Sequence, residues 1–460
     1  NGILKGSRGR IKPFDNLTRA EMAAVINNAF GSIEKADISA FSDVPKDSWY
    51  AGEIGKALAM QSFAGSGSLM RPQDPVTRQE AFTVLAKVFK LADGKAASLN
   101  AFKDAADVSP WAAGKLSALF EAGYVSGSNG QLKPLAPITR AEFAQIMYNM
   151  VQVYISSAGT YTEIAEGNVI VNVPDVVFKD MEVKGDIIVG DGVGDGDFTL
   201  DNVKISGRLV VRGGGENSII IRNKSSVGNV IVSKSASGGL RVRTEQGCRV
   251  EIIHIDDGKD DVILEGEFNR VVVESDNKVL LKDANITSLS LAAEGSNVNL
   301  DGSTKVTLAE IEPEAEDSKL SIGKDASVAS LNSSAGGVSV EGKGKLAVAN
   351  VSGNNTAVNT VGTSLTVAEN ASGVEENGKQ VDGGETVVTA DKEVKPAPAD
   401  DDDDEYVPPA PPVQPPKAYV LRKNEELGVA ADIAFESFAE VIAKADEVKA
   451  AHAETEDMPE

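Results

Sequence analysis

Three arginines stand in nearly identical surroundings. Arg19 lies in Leu17-Thr18-Arg19-Ala20-Glu21, Arg78 in Val76-Thr77-Arg78-Gln79-Glu80, and Arg140 in Ile138-Thr139-Arg140-Ala141-Glu142. A guanidinium is planar, permanently charged and able to hold a carboxylate through two parallel hydrogen bonds, so a repeated arginine is a candidate reader of an acidic ligand. A proline lies six positions before each arginine (Pro13, Pro72, Pro134), and a short glycine-serine loop lies before that. The loops run over residues 5–9, 64–68 and 126–130, and they place Gly65, Ser66, Gly127 and Ser128 where backbone amides could approach a sugar closely. Trp49 and Trp111 precede the second and third loops and offer flat apolar faces for a sugar ring.

The elements that must position these residues are short helices. Each box pairs a Thr N-cap with a Glu three residues later, the capping-box signature at Thr18 and Glu21, Thr77 and Glu80, Thr139 and Glu142. Apolar residues follow at helical spacing, among them Met22, Val25 and Ile26, then Phe82 and Leu85, then Phe143, Ile146 and Met147. Phe41-Ser42-Asp43-Val44 and Phe102-Lys103-Asp104 precede the tryptophans, and each Trp opens an apolar helix ending in a glycine-serine loop. The first repeat lacks this front half, so Asn1 is expected to fall inside a repeat with more chain ahead of it. Repeated units of this size bury their apolar faces against one another.

In their order, Phe-x-Asp-Val, Trp, glycine loop, proline and Thr-Arg-Ala-Glu resemble S-layer homology domains, over about a third of the chain. The resemblance implies a helix-rich prism of three repeats (1–31, partial; 39–92; 100–153) whose grooves bind a peptidoglycan-linked secondary cell-wall polysaccharide, often pyruvylated. Arg19, Arg78 and Arg140 would then read carboxylate, with Trp49, Trp111, Gly65, Ser66, Gly127 and Ser128 contacting sugar. It also implies residence on the surface of a Gram-positive-type bacterium. A purely structural reading stands beside this one: the arginines could pair with neighbouring acids, the tryptophans could be core, and the glycines could be turn formers.

Composition limits the alternatives. With 45 basic against 69 acidic residues the formal net charge is −24, a field that repels nucleic acid and anionic lipid. Cys248 is the sole cysteine and excludes an internal disulfide framework. No apolar run approaches the length of a membrane span, and no cofactor motif is present; metal binding is left open. Asn1 in the first position points to a processed or excerpted chain.

From about residue 161 to 390 the texture changes. Short β-branched triplets such as Ile187-Ile188-Val189, Leu209-Val210-Val211 and Val271-Val272-Val273 recur roughly every ten residues, separated by Gly, Asn, Asp and Ser. Strands of three to five residues in so sustained a rhythm favour a parallel β-solenoid, right-handed and β-helix-like, over a sandwich. Pro174 and the acidic segment 310–317 are expected to interrupt its register. Charged clusters at Asp256-Asp257 with Lys259-Asp260-Asp261, and at Arg241, Arg243 and Arg249, show no catalytic spacing, and His254 reads as a strand residue rather than a general base. The loop Gly190 to Asp197 has the oxygen-rich look of a calcium loop but reads better as a solvated turn, and Gly213-Gly214-Gly215 has no following helix to make a phosphate loop. The chain therefore reads as a non-enzymatic surface protein. A wall-anchored polysaccharide lyase or hydrolase and a self-assembling lattice protein are its rivals, with self-association or an unknown extracellular ligand assigned to the solenoid.

Residues 391–417 alternate prolines with a run of acids from Asp400 to Glu405, a composition that makes an extended spacer. Beyond it, within 418–460, Ile433, Phe438, Val441, Ile442, Ala445 and Val448 are spaced as one amphipathic helix, the possible start of a truncated domain.

Overall fold

The computed structural model describes residues 3–6, 10–234, 236, 238–256 and 261–389, together with the backbone of 419–421 and 433–435. Helices come first and a large β-solenoid follows. The helices are α1 (Arg19–Phe30), α2 (Ala51–Ala59), α3 (Arg78–Val88), α4 (Pro110–Glu121) and α5 (Arg140–Met150). All three Thr-x-x-Glu boxes are formed: in α1 the amide of Thr18 donates to Glu21 Oε2 at 3.1 Å and that of Glu21 to Thr18 Oγ1 at 3.2 Å, and α3 and α5 repeat the pattern. Such caps each contribute about 1 kcal/mol by satisfying amides that have no partner inside the helix.

The residue ahead of each Thr closes a ring. Leu17 N–H donates to Ile138 O, Ile138 N–H to Val76 O, and Val76 N–H to Leu17 O, each at 2.9 Å. All three side chains are fully buried. Two further sets of bonds run around the circle in the opposite sense. Arg19, Arg78 and Arg140 donate their amides to Asp74, Ala136 and Asp15, and the next residues donate to Pro72, Pro134 and Pro13. The repeats are therefore bonded head to tail around a closed circle, and one apolar core joins α1, α3 and α5.

The solenoid begins at Val153–Ile155, directly after α5, and its strands pair in parallel from coil to coil. On one sheet Val271 sits over Leu289, Leu289 over Ala309, Ala309 over Leu331, and Leu331 over Ala349, which makes a coil about twenty residues long. Every one of these side chains is fully buried, and Leu alternates with Ala, so large and small residues interdigitate inside a tube of constant width. Buried hydroxyls hold the corners: Thr304 Oγ1 reaches Leu281 O at 2.8 Å and accepts the Ala284 amide at 3.2 Å.

Three expectations are corrected. Strands are not limited to short triplets: Phe198–Val211 and Lys278–Leu291 each run 14 residues, because the chain rounds a corner without losing its ladder. The ladder continues past Pro174 and residues 310–317, and the register shifts lie instead at Ile205/Arg208 and Glu265/Gly266. At the latter the extra residue is Asp283, with φ +48°, on the facing strand, and opposite it Gly266 has φ +102° and must be glycine because a Cβ there would meet Thr244 O at 2.1 Å. Ile433 belongs to a strand, Ile433–Phe435, paired antiparallel with Tyr419–Leu421; the remaining residues assigned to a terminal helix, and the spacer, lie outside the described residues.

Antiparallel pairing closes the far end, where Ser364–Val367 meets Thr386–Val388 and Val374–Glu376 meets Lys379–Val381. A last strand whose edge is covered in this way cannot template further pairing. At the near end, Val169–Val171 and Ile187–Val189 are buried on both faces. Their inward residues line the tube, while Ile170, Ile188 and Val210 face outward into the helical core.

Candidate functional site

The geometry around the three arginines follows the same circle. Arg19 Nε donates to Met70 O at 2.8 Å and Nη2 to Ala64 O at 3.1 Å, so it grips the loop of the next repeat; Nη1 lies 3.7 Å from Glu80. Arg140 repeats this on the first loop, with Ile11 O at 2.9 Å, Lys5 O at 2.8 Å and Glu21 at 2.9 Å. Arg78 donates Nε to Leu132 O at 2.7 Å and Nη1 to Glu142 at 2.8 Å, but its Nη2 has no partner among the described residues. Burial pulls the Arg19 guanidinium below its ordinary pKa, and Glu80 opposes that shift. The box glutamate thus works twice, capping its own helix and accepting the preceding repeat's arginine.

The Phe-x-Asp elements build the loops. Asp43 accepts the amides of Met70 at 2.9 Å and Arg71 at 2.7 Å, and Asp104 those of Leu132 and Lys133 at the same two distances. Burial works against the Asp104 charge, yet the two amides hold its carboxyl below the usual range. Phe41 and Phe102 pack on the loop glycines: a Cβ at Gly65 would lie 2.4 Å from Phe41 Cε1, and one at Gly127 2.6 Å from Phe102 Cε1. Ser66 pairs with Leu69, and Ser128 with Gln131, in matching tight hairpins. Trp49 and Trp111 stand at the starts of α2 and α4 with 63% and 57% of their surface exposed, outside the core.

Two features went unread in the sequence. A basic residue directly precedes each proline, Lys12, Arg71 and Lys133, and all three adopt left-handed backbone with φ of 52°, 50° and 53°. Aligning the three repeats on their prolines would have exposed the pattern, though not the conformation. Gln79, which replaces the alanine of the other boxes, is buried and accepts the amide of Ser109 at 3.0 Å, so it caps α4.

Residues 40–82 and 101–144 match the S-layer homology domain. Those segments are S-layer homology repeats. The surface-layer 125 kDa protein of Lysinibacillus sphaericus is 34% identical over 157 residues, 33% of this chain and 13% of that protein. The exoglucanase XynX of Acetivibrio thermocellus is 31% identical over 31% of this chain and 13% of its own length. For the amylopullulanase of Thermoanaerobacterium thermosulfurigenes the figures are 30% identity, 31% and 8%. The chain thus spans about an eighth or less of these relatives, and the two enzymes align with it only through the S-layer homology region.

On the solenoid the remaining candidates among the described residues are engaged structurally, whereas Asp257, Lys259 and Asp260 of the acidic cluster lie outside those residues. Asp191, in the glycine-rich loop, is not solvated: its carboxylate is buried 3.0 Å from Arg212 Nε, and burial pushes its pKa up against the pull of that arginine. Asp195 pairs with Lys234 at 2.9 Å, and no group of three metal-ligating acidic, Cys or His residues occurs among the described residues. Gly213 is glycine because a Cβ would meet Gly190 O at 2.3 Å. Arg241 and Arg243 both contact Glu265, Arg249 contacts Glu251, and His254 Nδ1 lies 3.1 Å from Glu274 on the strand face. Cys248 is buried, which raises its thiol pKa. No helix among the described residues is long and apolar enough to cross a membrane.

Proposed function

We propose that the helical module anchors this protein non-covalently to a bacterial cell wall by binding a secondary wall polysaccharide, with the solenoid presented outward as a non-catalytic scaffold. The observation that carries the reading is the cyclic arrangement of the S-layer homology repeats, in which every arginine joins its own helix to the next repeat's loop. In this reading the ring is a three-fold pseudo-symmetric prism and the loops wall its inter-repeat grooves. An acidic substituent such as a ketal-linked pyruvate would be met by Arg78, whose Nη2 has no partner among the described residues, and by the exposed Lys12, Arg71 and Lys133. Trp49 and Trp111, exposed at the starts of α2 and α4, would supply faces for the sugar rings. Arg19 and Arg140 act mainly by holding the loops in place. Several weak grooves on one module gain affinity through effective concentration.

The test is co-sedimentation of the full chain with purified sacculi, before and after mild acid removes pyruvate or the whole secondary polymer. Binding is expected to fall on polymer removal. It should also fall in Arg78→Ala and in Arg140→Ala, with Arg140→Ala, which loses one more loop contact, the more lowered in melting temperature. Full retention by a folded Arg78→Ala would remove that arginine from the site, and retention after polymer stripping would sink the reading as a whole.

A further inference from the structure

The cyclic arrangement of the repeats leaves one helix bare. When the repeats are aligned on their arginines, Asn27 of α1, Ala86 of α3 and Tyr148 of α5 hold the same position. Asn27 and Ala86 are 2% and 0% exposed, because α2 packs on α1 and α4 on α3, and Asn27 Nδ2 donates to Glu53 O at 2.9 Å. No described helix packs on α5 in this way, and Tyr148 is 69% exposed. The first turn shows the same split: Ala20 and Gln79 are buried, Ala141 is exposed. Beside Tyr148 lies an apolar cleft of about 180 Å³, lined by Ala144, Met147 and Val151 of α5 and by Ile3 and Leu4.

A second place in the first repeat is bare as well. Ile11, Met70 and Leu132 each stand eight residues before their arginine, yet Met70 and Leu132 are 1% exposed and Ile11 is 55% exposed. In the second repeat the Phe41 ring and Met70 meet over Gly65, where an added Cβ would lie 2.4 Å from Phe41 Cε1 and 3.0 Å from Met70 Sδ. Asp43 and Asp104 accept the amides of the two covered turns, whereas no acceptor reaches the amides of Ile11 and Lys12 among the described residues. Lys12 nevertheless has the left-handed backbone of Arg71 and Lys133, so this turn already has the shape that a carboxylate caps in the other two. In each of the other repeats a single segment covers both places: its Phe-x-Asp element covers the turn, and its helix covers the neighbouring arginine-box helix.

We propose that the open side of α5 and the Ile11–Lys12 turn form one docking site for a further segment of this kind. Its aromatic residue covers Ile11, an aspartate two positions later accepts the amides of Ile11 and Lys12, and its helix lies across Ala144 and Tyr148. The segment belongs on the same polypeptide. Leu4 holds the place of Phe63 and Val125, each four residues beyond the end of α2 or α4, so a helix leading into Ile3 arrives directly on α5. A second copy of the chain has no such segment to lend, since both of its own are engaged in the same way. Docking would brace the loop that Arg140 grips through Lys5 O and Ile11 O, and so give the third inter-repeat loop the support that the other two have. The proposal stands whether or not the loops bind a wall glycan.

The test joins a second copy of residues 100–121 ahead of Asn1 of the full chain, with the same residues in scrambled order as the control. The authentic sequence is expected to raise the melting temperature, to slow amide exchange at Ile11 and Lys12 by about tenfold or more, and to shield Tyr148 from nitration. Asp104→Ala within the added copy should abolish the slowing at Ile11 and Lys12. Tyr148→Asp should abolish the gain in melting temperature, measured against the unextended Tyr148→Asp chain. An equal gain from the scrambled sequence, unchanged exchange at Ile11 and Lys12, or a Tyr148 still open to nitration would each overturn the inference.

Discussion

At the scale of single residues, the repeats use identical chemistry to solve an identical loop problem. Asp43 and Asp104 each accept two loop amides, and that contact holds the following Arg71 and Lys133 in a left-handed conformation that costs a side-chain-bearing residue about 1–2 kcal/mol. Asp104→Ala should therefore destabilise the module by about 1–3 kcal/mol in urea melts and speed amide exchange at Leu132 and Lys133. Because the folded-state carboxyl of Asp104 is depressed, its contribution is present above the ordinary carboxylate pKa and disappears as pH falls through the lower folded value. The stability gap between wild type and Asp104→Ala should accordingly narrow in strong acid; a gap constant down to low pH would show that the charge contributes nothing. Gly127 combines φ +69° with the Phe102 ring, whereas Gly67, at φ +58°, has open space around it. Gly127→Ala should cost clearly more than Gly67→Ala, for which only the backbone term of about 1 kcal/mol applies.

At the scale of elements, the solenoid's interior is a stack of alternating sizes. Leu289, Ala309, Leu331 and Ala349 share one column with no exposed surface. Leu331→Ala places three alanines in succession and should lose about 2–5 kcal/mol through the cavity left behind. Ala309→Leu places three leucines in succession and should cost about 1–3 kcal/mol by overpacking. If the column is as tight as this geometry requires, the double variant Ala309→Leu with Leu331→Ala should be less destabilised than the sum of the two, as read by denaturant midpoints.

At the scale of the whole molecule, residues 3 to 389 behave as one compact body because the helical core and the solenoid share a wall. Polar contacts pin that wall: Tyr154 donates to Asn28 O at 3.2 Å, Asn168 Nδ2 to Met150 O at 2.8 Å, and Arg208 reaches both Phe89 O and Lys90 O. The buried Arg212 and Asp191 pair lies against Phe30 at the same junction. Asp191→Ala would strand a buried cation and should cost about 3–5 kcal/mol, whereas replacing both partners by apolar residues should cost much less. Calorimetry is expected to show one transition for the wild type and two for Asp191→Ala, as the helices separate from the solenoid. One transition in both would mean that the apolar wall suffices to couple them.

Much of this was legible in the chain, because it rests on local periodicity. The capping boxes, the repeated Thr-Arg-Ala-Glu order and the recurring β-branched triplets determined helices around residues 18–150 and a parallel solenoid after them, since caps and side-chain alternation act within a few residues. What tertiary structure alone decided depends on groups far apart in sequence. It committed Arg19 and Arg140 to loop carbonyls from a neighbouring repeat while leaving Arg78 partly free, turned Lys12, Arg71 and Lys133 into left-handed residues, and moved the register shifts to Ile205 and Gly266. It also buried Asp191 of the glycine-rich loop against an arginine one coil away. A guanidinium satisfied within the fold and one left open to a ligand have the same local sequence; only the closing of the ring determines which carbonyls and carboxylates come within reach.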